Sequence, residues 1–554
     1  MILPNEKLSE LLLKEKIVTK NELEELLEFT NTTKIKLQEA VINKNILTDE
    51  KLGKIIAEYL GVPLIVLSQQ TISEEVGRII PEKVARRHHT FAFEKDKESI
   101  KIATSDPSNT EFLEFIAKKT GLKTIIYYAT EKDIENTIKL YKKLLQNIID
   151  DLLDDDIQDE APIIKILEEL IRTAYEDKAS DIHIEPEEDL SLIRFRIDGV
   201  LQDVVNFPRK LHDRVITRIK VLSNLRTDEH LSAQDGKMQL QLEQEDLDIR
   251  VSIIPIAEGE KVVMRLLSSK SRDITLPDLG VNDSDLKKIT NAFSKSYGMI
   301  LSTGPTGSGK TTSIYAILKI LNIRGKNITT IEDPVEYKIK GANQIQVNVK
   351  TNLTFANGLR SILRQDPNII FVGEIRDSET AGIAVNAALT GHLVLSTLHT
   401  NDAATAIPRL IDMKVEPFLV ASTVNVIIAQ RLVRKICESC KEKVAFKYDD
   451  IVKHASKDLV NKYLGKKPDV EVYQGKGCRI CRQTGYSGRL GLFEVLEVTK
   501  NIRKLVSTKV DADIIETAAK EEGMRTMLED GLEKVAKGLT TIEEILRVTK
   551  VESS

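Results

Sequence analysis

The sequence predicts an α/β fold built on a doubly wound parallel sheet, and three observations predict it. A Gly-rich loop, GPTGSGKTT (304–312), stands between an apolar run, SYGMILST, and a helical one, TTSIYAILKILN. Three more apolar runs follow, NITTIED, NIIFVGE and HLVLSTLH, each ending in an acid or a histidine. Helical stretches separate them. Strands alternating with helices fold as a parallel sheet covered on both faces, here a RecA-like, P-loop core over residues 281–500.

The segments before and after that core read in order. Residues 1–60 hold a repeat: KLSELLLKEKIVTKNELEELL begins at Lys7 and KLQEAVINKNILTDEKLGKII at Lys36, 29 residues later. Each copy predicts helix, turn and helix, with Thr19 or Thr48 as a cap before acids. From 61 to 149 the texture changes to short strands and helices, an α/β domain with a turn at SDPSN. DDLLDDDIQDEAP (150–162) is an acidic linker. Residues 163–270 form an α+β, PAS-like domain. Its amphipathic helix spans 163–177, a hairpin turns at Asp198-Gly199, and two further strands lie in LDIRVSIIPIAEGEKVVMRLL. SRDITLPDLG leads into the core. A helical region is expected from about Glu494 to Val548, with C-terminal helices over 501–554.

Composition excludes several classes. The 554 residues are 41% hydrophobic and 30% charged, as in a multidomain globular chain. A net charge of -5, no tryptophan and 5% aromatics argue against a nucleic-acid motor. No run of about 18 apolar residues predicts a membrane span. MILPNEKLSELLLKEK lacks the basic start and apolar core of a secretory signal, so the cytoplasm is the expected compartment. The four cysteines form two C-x-x-C pairs, Cys437 with Cys440 and Cys478 with Cys481, separated by 37 residues. Four thiolates at that spacing suit a closed, structural Zn²⁺ site in a subdomain inserted at 437–481.

The chemistry gathers around the glycine loop. G-x-x-x-x-G-K-[ST] is met by Gly304, Gly309, Lys310 and Thr311. Glycines let backbone N–H groups cradle the phosphates of ATP, the lysine reaches the β- and γ-phosphates, and the threonine hydroxyl binds Mg²⁺. Pro305, Thr306, Gly307, Ser308 and Thr312 complete the loop. Glu374, after the strand NIIFVG, stands where Mg²⁺ and its waters lie. TTIEDPVEY places Glu332, Asp333 and Glu336 at another strand end, where a carboxylate orients or deprotonates the attacking water. His392 and His399 flank LVLSTL, and a histidine near the γ-phosphate can sense it. Arg360 and Arg364 share a helix face at i, i+4. Arg250 and Arg265 lie on two strands of the preceding domain, and Arg194 and Arg196 share one face of an earlier strand. Guanidinium groups stabilise the charge of a transferring phosphoryl group.

Taken together, GPTGSGKTT, TIEDPVEY, LRQDPNIIFVGEIRD, GHLVLSTLHT, ASDIHIEP (179–186) and the two C-x-x-C pairs resemble the type II secretion and type IV pilus assembly ATPases. The likeness covers about 160–554 strongly and the N-terminal region loosely. It implies a cytoplasmic homohexamer, peripheral to the inner face of the cytoplasmic membrane. Such a hexamer couples ATP hydrolysis to an inner-membrane platform protein. It implies Lys310 and Thr311 on ATP–Mg²⁺, Glu332 as base, Glu374 as the Walker B acid and His399 as γ-phosphate sensor. Arg250, Arg265, Arg360 and Arg364 match arginines that reach nucleotide within or between subunits. Pilus-retraction relatives typically lack the long N-terminal region and the four cysteines, so assembly of type IV pili is the leading expectation. Type II secretion is the alternative and a nucleic-acid motor the less favoured third. Some relatives bind cyclic di-GMP through repeats beginning R-L-G-x-x-L. Here the repeats begin KLSELL and KLQEAV. Lysine cannot fork or stack like arginine, and the glycine is missing, so cyclic di-GMP is not expected and the repeat reads as a docking module.

Overall fold

The computed structural model describes residues 5–549, apart from 34–36, 45, 71, 78, 141–145, 147–148, 151–160, 243–244, 268–273 and 479. Contacts divide the chain into two units, residues 1–144 with 476–485, and residues 145–475 with 486–554.

The repeat opens the first unit as two helical pairs. They are α1 (Asn5–Lys14) with α2 (Lys20–Thr33), and α3 (Leu37–Asn43) with α4 (Asp49–Leu60). Both threonine caps are present. Thr48 Oγ1 accepts the N–H of Lys51, and Thr19 and Glu22 bond reciprocally in a capping box. Lys36, where the second copy begins, lies outside the described residues. Leu8, Leu12, Leu26, Leu37 and Val41 turn inward and pack with Tyr128 of the next segment. That segment is a three-stranded sheet of β1 (Thr90–Lys95), β2 (Ser99–Thr104) and β3 (Lys123–Tyr128). Its first pair is antiparallel and its second parallel. Asn109, in the SDPSN turn, caps α5 (Thr110–Thr120), and α6 (Glu131–Leu140) follows β3.

The second unit begins with α7 (Ala161–Glu176). Residues 151–160 of the expected acidic linker lie outside the described residues. Six antiparallel strands come next: β4 (Asp181–Pro186), β5 (Leu190–Ile197), β6 (Val200–Pro208), β7 (Gln234–Gln241), β8 (Asp246–Ile256) and β9 (Gly259–Leu267). Helix α8 (His212–Leu222) lies between β6 and β7, and the sheet order is β6-β5-β4-β9-β8-β7. The expected hairpin turns at Asp198 (φ 51°) and Gly199 (φ 85°), both left-handed as a tight two-residue turn requires. Alternation sorts the two faces. Ile182, Ile184, Ile193, Phe195, Val262 and Met264 join one buried cluster with α7 and α8. Asp181, His183, Glu185, Arg194, Arg196 and Arg265 share the opposite face.

The nucleotide core then runs α9 (Asp283–Phe293), β10 (Gly298–Thr303), α10 (Lys310–Leu321), β11 (Ile328–Glu332), β12 (Ala342–Gln346), α11 (Phe355–Ile362), β13 (Ile369–Val372), α12 (Ser378–Leu389), β14 (Leu393–Leu398) and β15 (Val424–Ile436). β16 (Lys441–Lys447) and β17 (Asp469–Gly475) pair in the cysteine subdomain, and β18 (Tyr486–Glu497) returns to the main sheet. The seven-stranded order is β12-β11-β13-β14-β10-β15-β18, parallel except for the last pair. This is the RecA-like layout expected. Every residue of β10, β11, β13 and β14 is buried, which explains their unbroken apolar runs.

One expectation is corrected. Helix was expected from about Glu494, but Glu494 lies within β18, and the helices α13 (Lys500–Ser507), α14 (Ala512–Glu521), α15 (Met527–Ala536) and α16 (Ile542–Thr549) start later. Pairing with β15 overrides the helical propensity of Leu and Glu in LFEVLE. β18 is an edge strand, and α15 covers its open side. Asp530 Oδ2 accepts the Phe493 N–H (2.9 Å), and Lys534 Nζ donates to the Gly491 carbonyl (2.7 Å).

Candidate nucleotide site

Because β10, β11, β13 and β14 are parallel, their C-terminal ends open onto one edge of the sheet, where the ligands of such sheets bind. Thr303 ends β10 there and leads into the glycine loop. Gly304, Gly307 and Gly309 take φ of 145°, 78° and 90°. A Cβ on Gly304 would stand 2.5 Å from the Gln430 carbonyl oxygen, so only glycine fits. Gln430 Nε2 braces the loop from β15 by donating to the Ser308 carbonyl (2.7 Å). The Ser308 hydroxyl is buried without a hydrogen-bond partner. Pro305 is half-buried, and Thr306 and Gly307 are exposed at the loop's tip.

α10 starts at Lys310, so the positive end of the helix faces the loop. Thr311 and Thr312, half-buried, form its first turn. Lys310 Nζ donates to the carbonyls of Gly304 (2.8 Å) and Pro305 (3.1 Å). Among the described residues no carboxylate lies within ion-pairing distance of it. Burial pulls its pKa below the usual lysine value, and the field of Glu374 opposes that pull. A buried ammonium bonded only to carbonyls, in a cradle of glycine backbone, fits a triphosphate.

Glu374 follows β13 and is largely buried. His399 Nε2 lies 3.3 Å from one oxygen and Arg376 2.7 Å from the other. A cleft of about 400 Å³ lined by Ile375, Arg376, His399, Arg409 and Met413 opens beside them. His392 sits at the opposite end of β14, where its Nδ1 lies 3.0 Å from the Ala387 carbonyl oxygen. Strand direction alone separates the two histidines.

Glu332 ends β11 and is 2% exposed. It accepts from Thr330 Oγ1 (2.6 Å), Gln344 Nε2 (3.1 Å) and the Tyr315 hydroxyl. Burial raises its carboxyl above the usual range, and these donors draw it part of the way back. Burial, with Glu332 adding to it, also pushes the Tyr315 phenol up. Asp333 and Pro334 follow with a cis peptide bond. Glu336 is more exposed and lies 3.4 Å from Arg250, which also donates to the Val335 carbonyl (2.8 Å). Arg250 thus ties β8 to the turn after Glu332.

The other arginines bond elsewhere. Arg265 pairs with Asp181 (3.0 Å), Arg360 with Asn357 and Glu379, and Arg364 with Ser361. Arg194 pairs with Glu185, and Arg196 with Asp181. None of these bonds goes to the glycine loop. Sequence reasoning missed Tyr315, Gln344, Gln430 and Arg376. Only Arg376, two residues after Glu374, stood close enough in sequence to be found.

The four cysteine sulfurs lie within 4.8 Å of one another. A tetrahedral zinc with Zn–S bonds of ~2.3 Å needs sulfurs about 3.8 Å apart, a small contraction from that spacing. Cys481 Sγ also accepts the N–H groups of Cys478 (3.1 Å) and Gly485 (3.2 Å). The set fits zinc.

The type II/IV secretion system protein family matches residues 156–547, which takes in the glycine loop, both glutamates, His399 and all four cysteines. The chain belongs to that family. An MshEN domain matches residues 60–146. Among its relatives in the family is the type II secretion system protein HxcR of Pseudomonas aeruginosa. It is 45% identical over 431 residues, 78% of this chain and 86% of that one. The type IV pilus assembly ATPase PilB of Myxococcus xanthus is 36% identical over 564 aligned positions, 98% of each chain. Among solved structures, the ATPase DotB of Legionella pneumophila covers 69% of this chain and 95% of its own at a TM-score of 0.51 and 21% identity, a likeness of fold. Among the described residues no helix is long and apolar enough to cross a membrane.

Proposed function

We propose that this chain is a homohexameric ATPase at the inner face of the cytoplasmic membrane. It drives assembly of type IV pili through an inner-membrane platform protein. The observation that carries the ATPase reading is the edge where Lys310, bonded only to carbonyls, stands near Glu374 and His399. Lys310 would exchange its carbonyl partners for β- and γ-phosphate oxygens. Thr311 would bind Mg²⁺ directly and Glu374 through water. That ion, when bound, neutralises phosphate charge. Glu332 would take the proton of the attacking water, and its raised basicity suits the task. Its Oε2 has Tyr315 as partner and keeps a lone pair for that proton. His399 would exchange its contact with Glu374 for the γ-phosphate. Arg250 would answer phosphate charge from the preceding domain, and Arg265, Arg360 and Arg364 would do so between subunits. Zn²⁺ on Cys437, Cys440, Cys478 and Cys481 would be structural, since four ligands leave no open position.

The pilus reading is supported by the match to the Myxococcus xanthus pilus assembly ATPase along nearly the whole of both chains. Type II secretion is the second reading, favoured by the higher identity to HxcR over a shorter span. Lys310→Ala in the source organism separates them, with surface filaments imaged and the culture medium assayed together. Lost filaments with normal secreted protein are expected. Retained filaments with secreted protein trapped inside would make this a secretion motor.

A further inference from the structure

His399 stands on a loop that leaves β14 at Leu398 and enters a helix at Ala406. Two anchors hold this loop. At its start, the Thr400 N–H donates to the hydroxyl of Thr303, the residue before the glycine loop, at 2.9 Å, and the two hydroxyls lie 2.5 Å apart. At its far end, the Ala403 N–H donates to Glu494 Oε1 at 2.9 Å. Glu494 is only 4% exposed and sits within the apolar run of β18. A buried carboxyl in such a strand is costly unless its bonds are used. The charged groups that face it are Asp402, from the same loop as His399, and Glu516, from α14. Both are acids, and among the described residues no cation lies within ion-pairing distance of it.

We propose that Glu494 is a positioning residue that fixes the His399 loop against the glycine loop from β18. The inference rests on the reading that His399 meets the γ-phosphate. Burial, with Asp402 and Glu516 adding to it against the Ala403 bond, pushes the Glu494 carboxyl up to about 7. Below that pH it is neutral. Above it, the ionised carboxylate accepts the Ala403 N–H more strongly, a gain larger than the repulsion of Asp402, so the loop is held better.

The test is steady-state ATP hydrolysis by the full-length chain, as wild type, Glu494→Gln and Glu494→Ala, from about pH 6 to pH 8.5. Glutamine keeps a carbonyl for the Ala403 N–H and never ionises. The expected result for Glu494→Ala is a fall in kcat of about tenfold or more with KM little changed, because a misplaced group costs rate rather than binding. Glu494→Gln is expected near the wild-type rate at pH 6, and the ratio of wild-type to Glu494→Gln kcat is expected to rise through about pH 7. Wild-type kcat in Glu494→Ala, or a ratio of wild-type to Glu494→Gln kcat that stays flat through pH 7, would overturn the inference. If Glu494→Ala does not fold, the Glu494→Gln profile decides alone. A wild-type chain without Lys310-dependent hydrolysis would sink the ATPase reading, and this inference with it.

Discussion

Two buried lysines mark two regions of the second unit that look alike by burial and differ in purpose. Lys310 and Lys534 are 8% and 5% exposed, and burial lowers the pKa of both. Lys534 is met by the Asp530 carboxylate, the Gly491 carbonyl and the face of Phe493. Its charge is spent inside the fold, locking α15 onto the edge strand β18. Lys310 has two carbonyls and the more distant field of Glu374. The comparison teaches that the buried cation left without a carboxylate is the one kept for a ligand.

Lys310→Ala and Lys534→Ala should therefore fail in opposite ways. Lys310→Ala is expected to slow ATP hydrolysis by about 100-fold or more. Its denaturant midpoint should hold or rise, since it removes a buried cation with no carboxylate partner. Lys534→Ala takes from Asp530 its nearest cation, leaving it Arg525 at 3.9 Å and the Phe493 N–H, and should cost about 3 kcal/mol in urea unfolding. Below its unfolding transition it should hydrolyse ATP near the wild-type rate. If the effects were exchanged, the distinction between the two regions would collapse.

A second paired site sharpens the structural half. Glu544 binds Arg434 and Arg547. Burial alone would raise its carboxyl, yet the bonds from Arg547 and Arg434 bring it down to about 2. A carboxyl lowered in the fold stabilises above its ordinary range and loses that contribution as pH falls towards about 2. The loss should reach about 3 kcal/mol. Urea unfolding at a series of acid pH values reads it, and Glu544→Gln should flatten that part of the curve. The smallest effect belongs to the nucleotide half. Tyr315→Phe removes one donor from Glu332 and should cost about 1–3 kcal/mol. It should also change kcat more than KM, measured by the same hydrolysis assay.

The legible parts of the molecule share a cause. β10, β11, β13 and β14 are buried on both faces, so they read as apolar runs, and their last residues named Glu332, Glu374 and His399. β12, ANQIQ, is a half-exposed edge strand with no such run and was not visible. β15, VNVIIAQRLVRKI, mixes strand and helix formers, and its pairing with β10 and β18 decides its form. Glu494 was placed in helix for the same reason. The braces of the site were hidden because their partners are far away in sequence. Gln430 holds Ser308 from 122 residues on, and Glu494 holds Ala403 from 91. The i, i+4 spacing of Arg360 and Arg364 showed a shared face but not what that face meets. Here their bonds go to Asn357, Ser361 and Glu379.

The most direct measurement is phosphate release from ATP–Mg²⁺ by the purified full-length chain, wild type beside Lys310→Ala, with Lys534→Ala as the control for folding. Release by wild type and Lys534→Ala, together with its loss in Lys310→Ala, is the predicted result. Equal release by wild type and Lys310→Ala would contradict the assignment of this edge as the site of hydrolysis.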